Sequence, residues 1–218
     1  FAYDGTEFDG PIIVPEDSPS IPNVGFALLY EETTGTVMLT KYPDRTNAPA
    51  SMTKVMTALV VLETCELTDT VVIPAGAVGV EGSSIYLTEG EKLTVEDLLY
   101  ALMLESANDA AVALAIHAAG DVASFAALMN RKAEALGLTD THFTNPHGLD
   151  NAEHYSSAYD LAMLARYALQ NPDFARIVST YKTNIPLGGD EGILLLINHN
   201  KMLKYYDGAI GVKTGYTK

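Results

Sequence analysis

Positive charge is scarce in this 218-residue chain: 13 Lys and Arg stand against 28 Asp and Glu, a formal net charge of −15. A nucleic-acid partner needs a basic surface, so that class of ligand is excluded. The acidic balance names no partner of its own; its plain reading is solubility. Cysteine is almost absent. Cys65 stands alone, which excludes an intramolecular disulfide, and it closes the apolar run Val60-Val61-Leu62-Glu63-Thr64-Cys65, where a buried, inert thiol is expected. Long hydrophobic runs are missing as well, since no segment reaches the roughly 18 consecutive apolar residues of a membrane-spanning helix. No secretory leader opens the chain. Residues Phe1 to Pro22 carry Pro11, Pro15, Pro19 and Pro22 among acidic residues and glycines, and read as an extended arm. On these grounds the protein is either cytoplasmic or processed.

What is present describes a folded chain. Hydrophobic residues make up 48% and charged residues 19%, enough apolar surface for one large domain or two small ones sharing a core. Val24–Tyr30 and Thr36–Thr40 are short apolar runs separated by Thr-Thr-Gly turn chemistry, which predicts a β-hairpin. Ala50 to Thr64 contains no Gly or Pro and is apolar almost all round, as a buried helix is. Val71–Ile73 and Ser84–Leu87 look like short strands. Thr94-x-x-Asp97 is a capping-box start for a helix to Leu104. Further helices are expected over 107–119, stopped by Gly120, over 122–136, stopped by Gly137, from Ser157-x-x-Asp160 to Gln170, and from Pro172 onward. Tyr181–Leu187 and Gly192–Ile197 read as a hairpin around Gly188-Gly189, and Gly208–Thr217 as a strand of small residues.

Three strings on these elements carry chemistry. Ser51 and Lys54 are three apart at the start of the first helix, so they share a face. A serine hydroxyl is a poor nucleophile until a base removes its proton. A lysine serves only when its pKa falls from about 10.4 to about 7–8, through burial or a second cation such as Lys213. Ser106 and Asn108 stand at a break between two apolar helices, where Ser106 could relay a proton and Asn108 could hold a substrate amide and fix Lys54. Lys213 and Thr214 offer donors for a carboxylate. Gly215 removes a side chain, so that another backbone can approach the strand and a substrate can pair with it. Each string alone is weak, being equally a surface lysine, a helix cap or a basic strand end. Their order and placement are what count. His142, His147 and His154 match no metal-ligand spacing, and they read as structural or surface residues, as do His117 and His199.

The set resembles the D-alanyl-D-alanine carboxypeptidases, the low-molecular-weight penicillin-binding proteins, from about Val24 to the end. Ala50-Ser51-Met52-Thr53-Lys54 looks like the nucleophile helix of that family, Glu105-Ser106-Ala107-Asn108 like its second motif, and Gly211-Val212-Lys213-Thr214-Gly215-Tyr216-Thr217 like its third. Thr144-Asn145-Pro146-His147-Gly148-Leu149-Asp150 and Ser157-Ala158-Tyr159-Asp160 are similar to further signatures. The resemblance implies an α+β, β-lactamase/transpeptidase-like fold, with an antiparallel sheet flanked by helices and an inserted, mostly helical lobe. It implies Ser51 as nucleophile, Lys54 as general base, and Ser106 and Asn108 as the proton network. It further implies Lys213, Thr214 and Gly215 as substrate-binding residues, and the backbone N–H groups of Ser51 and Tyr216 as an oxyanion hole. The implied substrate is a peptidoglycan stem peptide ending in D-Ala-D-Ala. β-Lactams would act as covalent inhibitors, with no cofactor and no metal.

Alternatives from the same motifs are a β-lactamase and a DD-endopeptidase; a non-catalytic peptidoglycan-binding module is a third. The second motif is Ser-Ala-Asn rather than Ser-Asp-Asn, and no Glu-x-x-Leu-Asn string lies between Ser106 and Lys213; both favour the carboxypeptidase. The expected organisation is an arm over 1–22, a sheet part from 23–65 and 181–218, and a helical lobe over 66–180. Because the third motif falls just before Lys218, the last strands of the sheet are expected to be missing from this chain. The resemblance also implies an extracytoplasmic protein at the cell wall, with any membrane contact made only through a further C-terminal segment.

Overall fold

A computed structural model of the protein describes residues 24–186 and 192–216. The expected N-terminal arm and the Gly188-Gly189 turn lie outside the described residues. The chain opens with the antiparallel pair β1 (Ala27–Glu31) and β2 (Thr36–Lys41). Their turn is organised by Glu31, whose carboxylate accepts the N–H groups of Thr33 and Thr34. Those bonds hold the carboxyl far down its range, to about 2, with the Thr34 hydroxyl the largest cause.

The helix expected over 50–64 begins differently. Ala50–Thr53 forms a 3-10 turn, and α1 (Lys54–Thr64) follows it. Every residue from Lys54 to Val61 is buried, because α1 is the axis of the molecule. It packs against α2 (Val95–Leu104), α3 (Asn108–Ala119), α4 (Val122–Ala135), α5 (Ala158–Ala168) and α6 (Pro172–Ser179). Met56, Leu59, Leu102, Phe125 and Phe174 are fully or almost fully buried around it, each worth about 1.5–3 kcal/mol in surface removed from water. The caps anticipated from sequence are in place. Thr94 and Asp97 exchange both bonds of a capping box, Ser157 accepts from the Asp160 N–H, and Pro172 opens α6, where Asn171 adds a cap beyond those anticipated. Gly120 ends α3 at φ +85, a conformation open to glycine.

Two expected strands are not strands. Ser84–Leu87 is an irregular extended segment held by Asp109, which accepts from Ser84 Oγ, Ile85 N and Leu87 N. The partner of β3 (Thr70–Val72) is instead β4 (Lys92–Thr94). The strand expected over 208–217 does not form among the described residues: Gly208 closes a turn at φ +90, and 209–216 has no ladder partner. The hairpin β5 (Lys182–Pro186) and β6 (Ile193–Ile197) forms as expected, and α7 (Met202–Tyr205) follows. Among the described residues the strands make three two-stranded sheets. Cys65 is half-buried rather than buried. Desolvation pushes its thiol pKa up, so it stays protonated and unreactive.

Candidate active site

The three strings converge on one cleft of about 400 Å3, whose lining includes Ser51, Ser106, Asn108, His147 and Thr214 to Tyr216. Ser51 sits in the 3-10 turn, three residues before α1 begins. In that winding the side chains at i and i+3 eclipse, and Ser51 Oγ lies 3.2 Å from Lys54 Nζ.

Lys54 is 0% exposed. Its Nζ also lies 2.7 Å from Asn108 Oδ1 and 2.6 Å from the carbonyl oxygen of His147. Burial, aided by the Lys213 charge, pulls the amine down to about 6, so it is mostly neutral at pH 7. A neutral amine has two N–H donors and one lone pair. Asn108 Oδ1 and the His147 carbonyl can only accept, so they take both N–H groups. The lone pair is left for the third neighbour, the Ser51 hydroxyl, which can donate. If Nζ gains that proton, the same three oxygens satisfy the ammonium, and no heavy atom has to move.

Each partner of Lys54 is itself fixed. Asn108 opens α3, and its Nδ2 donates to the Glu81 carbonyl at 2.6 Å, which turns Oδ1 toward Lys54. Gly82 is required there, because a Cβ would come within 2.8 Å of Asn108 Nδ2. The 144–149 loop is bound to α1 twice, since Thr57 Oγ1 donates to the Pro146 carbonyl at 2.6 Å just beside the Lys54–His147 contact. Asn145 Oδ1 gathers the N–H groups of His147 and Gly148. Gly148, at φ +89, lies so close to Ala50 that a Cβ would overlap the Ala50 carbonyl. His147 Nδ1 accepts the Leu149 N–H, and burial, with Lys54 adding to it, draws the imidazole down to about 4. The ring is neutral beside the lysine.

Ser106 occupies the break between α2 and α3 at φ +60. Its Oγ is buried, lies against the cleft, and has no hydrogen-bond partner among the described residues. The structure thus brings Ser51, Lys54 and Asn108 into direct contact and sets Ser106 in the cleft wall without bonding it to them. Lys213 is half-buried, and burial lowers its ammonium to about 8; its Nζ donates to the Thr214 carbonyl at 2.9 Å. Gly215 has a nearer reason than the approach of a substrate. The Pro49–Met52 turn presses on it, and a Cβ would meet Pro49 O, Ala50 Cβ and Met52 Cγ at 3.3–3.4 Å. The missing side chain lets the third string lie directly on the turn that carries Ser51.

Sequence reasoning passed over the backbone carbonyls of Glu81, Pro146 and His147, which carry no residue-type signature. The glycines beside them, Gly82 and Gly148, were the available signal. It also read His199 as structural, whereas His199 lines the cleft. Its Nε2 lies 3.3 Å from Glu105 Oε2, while Glu105 Oε1 accepts the Ile197 N–H. This stitches the end of β6 to the Ser106 turn. Asn200 extends the stitch by donating to the Gly211 carbonyl at 2.8 Å. Each of the rings of His142, His147 and His154 is engaged by hydrogen bonds, to the Glu153 carbonyl, the Leu149 N–H and the Thr144 N–H respectively.

Solved structures of the same fold place the chain in the transpeptidase-like class. It superposes on a D-alanyl-D-alanine carboxypeptidase from Mycobacterium tuberculosis with a TM-score of 0.87 at 36% identity, over 94% of this chain and 78% of that one. A mutant of a Streptomyces DD-transpeptidase matches with a TM-score of 0.83 at 37% identity, over 91% and 82% of the two chains. In sequence the chain is 40% identical to the D-alanyl-D-alanine carboxypeptidase DacF of Bacillus subtilis over 196 residues, 88% of this chain and 50% of the relative. It is 40% identical to DacB2 of Mycobacterium tuberculosis over 185 residues, 84% and 62% of the two chains. The chain thus spans about half the length of the first of these relatives. The D-alanyl-D-alanine carboxypeptidase profile of peptidase family S11 matches residues 16–218, and the chain belongs to that family.

Proposed function

We propose that the protein is a serine-type D-Ala-D-Ala carboxypeptidase, which removes the terminal D-alanine from peptidoglycan stem peptides through a Ser51 ester. The observation that carries this reading is the buried Lys54 amine, within hydrogen-bond reach of Ser51 Oγ and of two oxygens that can only accept, Asn108 Oδ1 and the His147 carbonyl. Lys54 takes the Ser51 proton as Oγ attacks the carbonyl carbon of the scissile peptide bond. The resulting oxyanion is received by the N–H groups of Ser51 and Tyr216; a donor of this kind contributes about 2.7–4 kcal/mol to the transition state. The proton then passes from the Lys54 ammonium through Ser106 Oγ to the leaving nitrogen, the C–N bond breaks, and D-alanine departs. Water, deprotonated by the same amine, hydrolyses the ester. Lys213 and the Thr214 hydroxyl hold the terminal carboxylate of the substrate, a charge-assisted contact. A β-lactam offers the same carboxylate and a strained amide, so it acylates Ser51 in the same way. The site of action is the cell wall, outside the cytoplasmic membrane.

The test is incubation with a penicillin followed by peptide mass mapping, then a D-alanine release assay on a peptide ending in D-Ala-D-Ala. A single adduct on Ser51, with D-alanine released faster than penicillin is turned over, is the expected result. An adduct elsewhere, or none, refutes the mechanism. Rapid penicillin turnover without D-alanine release indicates a β-lactamase instead.

A further inference from the structure

His154 does not line the cleft, yet it lies directly behind the Ser51–Lys54 pair. It is 3% exposed. Its Nε2 is 2.7 Å from Thr53 Oγ1, and its Nδ1 accepts the Thr144 N–H at 3.0 Å. A backbone N–H can only donate, so Nδ1 is bare and the ring proton sits on Nε2, donating to Thr53. The Phe143 ring packs edge-on against the imidazole at 5.6 Å. One neutral ring in one tautomer therefore joins the residue just before Lys54 to the first residue of the 144–149 loop. That loop supplies the His147 carbonyl to Lys54 and the Pro146 carbonyl to Thr57. Its Gly148 lies against Ala50 and Thr53 Oγ1. Nothing in the chemistry proposed above uses His154.

We propose that His154 is a positioning residue for Lys54: it fastens the 144–149 loop over the lysine, so that the His147 carbonyl stays on Nζ and water stays off it. The inference rests on the reading of Lys54 as the base. Lys54 is faced by Ser51, Asn108, His147 and Lys213, and burial is the leading cause of its lowered pKa. His142, His147 and Asp150 are the titratable groups that interact with His154. Burial lowers the ring to about 4, with His142 a smaller cause and Asp150 opposing. The ring is thus neutral throughout the range in which Lys54 titrates, and it acts as a fixed bracket rather than a switch.

The test follows acylation of Ser51 by a labelled penicillin across pH 5 to 10 in the wild type, His154→Leu, His154→Gln and Thr53→Val. Leucine keeps the apolar volume and loses both bonds. Valine removes the other end of the same contact. Glutamine keeps a donor and an acceptor on one planar group. With the bracket gone the loop lifts, water reaches Nζ, and the acid limb of the profile moves to higher pH. A shift of about two units lowers the rate at pH 7 roughly tenfold and leaves the rate at pH 9 close to the wild type. The leucine and valine variants should show this shift, and glutamine should lie between leucine and the wild type. A merely structural role would lower the rate equally at every pH. An unmoved limb in Thr53→Val and in the folded His154 variants, or a loss that high pH does not restore, overturns the proposal. If His154→Leu does not fold, Thr53→Val and His154→Gln decide. A wild type that forms no Ser51 adduct defeats the proposed function itself; a wild type that forms one, with variants whose limb does not move, defeats only the bracket.

Discussion

Replacing Lys54 by methionine separates what the lysine does for chemistry from what it costs the fold. Methionine is close to the lysine stem in shape and carries no charge. Lys54 titrates near 6 in the folded protein against 10.5 for a free lysine. Between those values the unfolded chain holds a proton that the native site has released. Native stability therefore rises with pH through the window, and the penalty is largest at and below its acid edge. At pH 7, about 3.5 units below the free value, keeping this amine neutral costs roughly 5 kcal/mol. Methionine removes that cost. It also strips the donor from Asn108 Oδ1 and the His147 carbonyl, at about 1–3 kcal/mol each. The two effects oppose each other, so the net change at one pH is small and its sign is not the diagnostic quantity. The slope is. Urea unfolding of both proteins at pH 6.5, 7.5 and 8.5 should show the wild type gaining on Lys54→Met by about 3 kcal/mol over the two units. Taking the difference at each pH cancels the other titrating groups. Parallel profiles would mean that Lys54 titrates alike in both states, and the case for a neutral base would fall. The methionine variant should also form no penicillin adduct.

Three further outcomes follow from the same geometry. Gly148→Ala forces a Cβ into the Ala50 carbonyl at a φ of +89; it should abolish acylation and lower stability by more than about 2 kcal/mol in denaturant unfolding. Ser106→Ala removes a hydroxyl with no hydrogen-bond partner among the described residues, so stability should stay within about 1 kcal/mol of the wild type. D-alanine release should nonetheless fall by about 10²–10⁴ in a steady-state assay, the ordinary scale of a lost proton relay. Because burial holds Lys213 near 8, its charge is present at neutral pH and disappears above that value. Acylation by penicillins should accordingly decline through about pH 8. A thioester lacking the carboxylate should show no such decline, and Lys213→Met should remove the difference between the two.

The parts of the fold that sequence made legible are those decided by neighbouring residues. The Thr94–Asp97 capping box, the Ser157–Asp160 cap and the Pro172 start of α6 are local chemistry, and they stand where the spacing puts them. Ser84–Leu87 misled because its side chains suit a strand, while its backbone is claimed by a distant carboxylate, Asp109. β4 went unseen because Lys92–Thr94 is too short to show a period. In the site, side-chain chemistry was legible and backbone chemistry was not. Ser51, Lys54 and Asn108 announce themselves by type. The His147 carbonyl, which with Asn108 fixes the direction of the lysine lone pair, belongs to a residue whose imidazole drew attention away from its main chain.

The contact of Gly215 with the Pro49–Met52 turn has a consequence for the order in which the protein matures. Ser51, Lys54, Asn108 and the 144–149 loop can meet as soon as the central helices pack. The carboxylate grip proposed for Lys213 and Thr214 would arrive only when the last described segment folds back across the molecule, a contact of long sequence separation and so a slow one. On this reasoning a refolding chain should pass through a stage in which Ser51 and Lys54 have met and the third string has not yet docked. Labelling by a fluorescent penicillin should therefore lag behind the recovery of helical signal by circular dichroism, which makes the antibiotic a reporter of the final docking step.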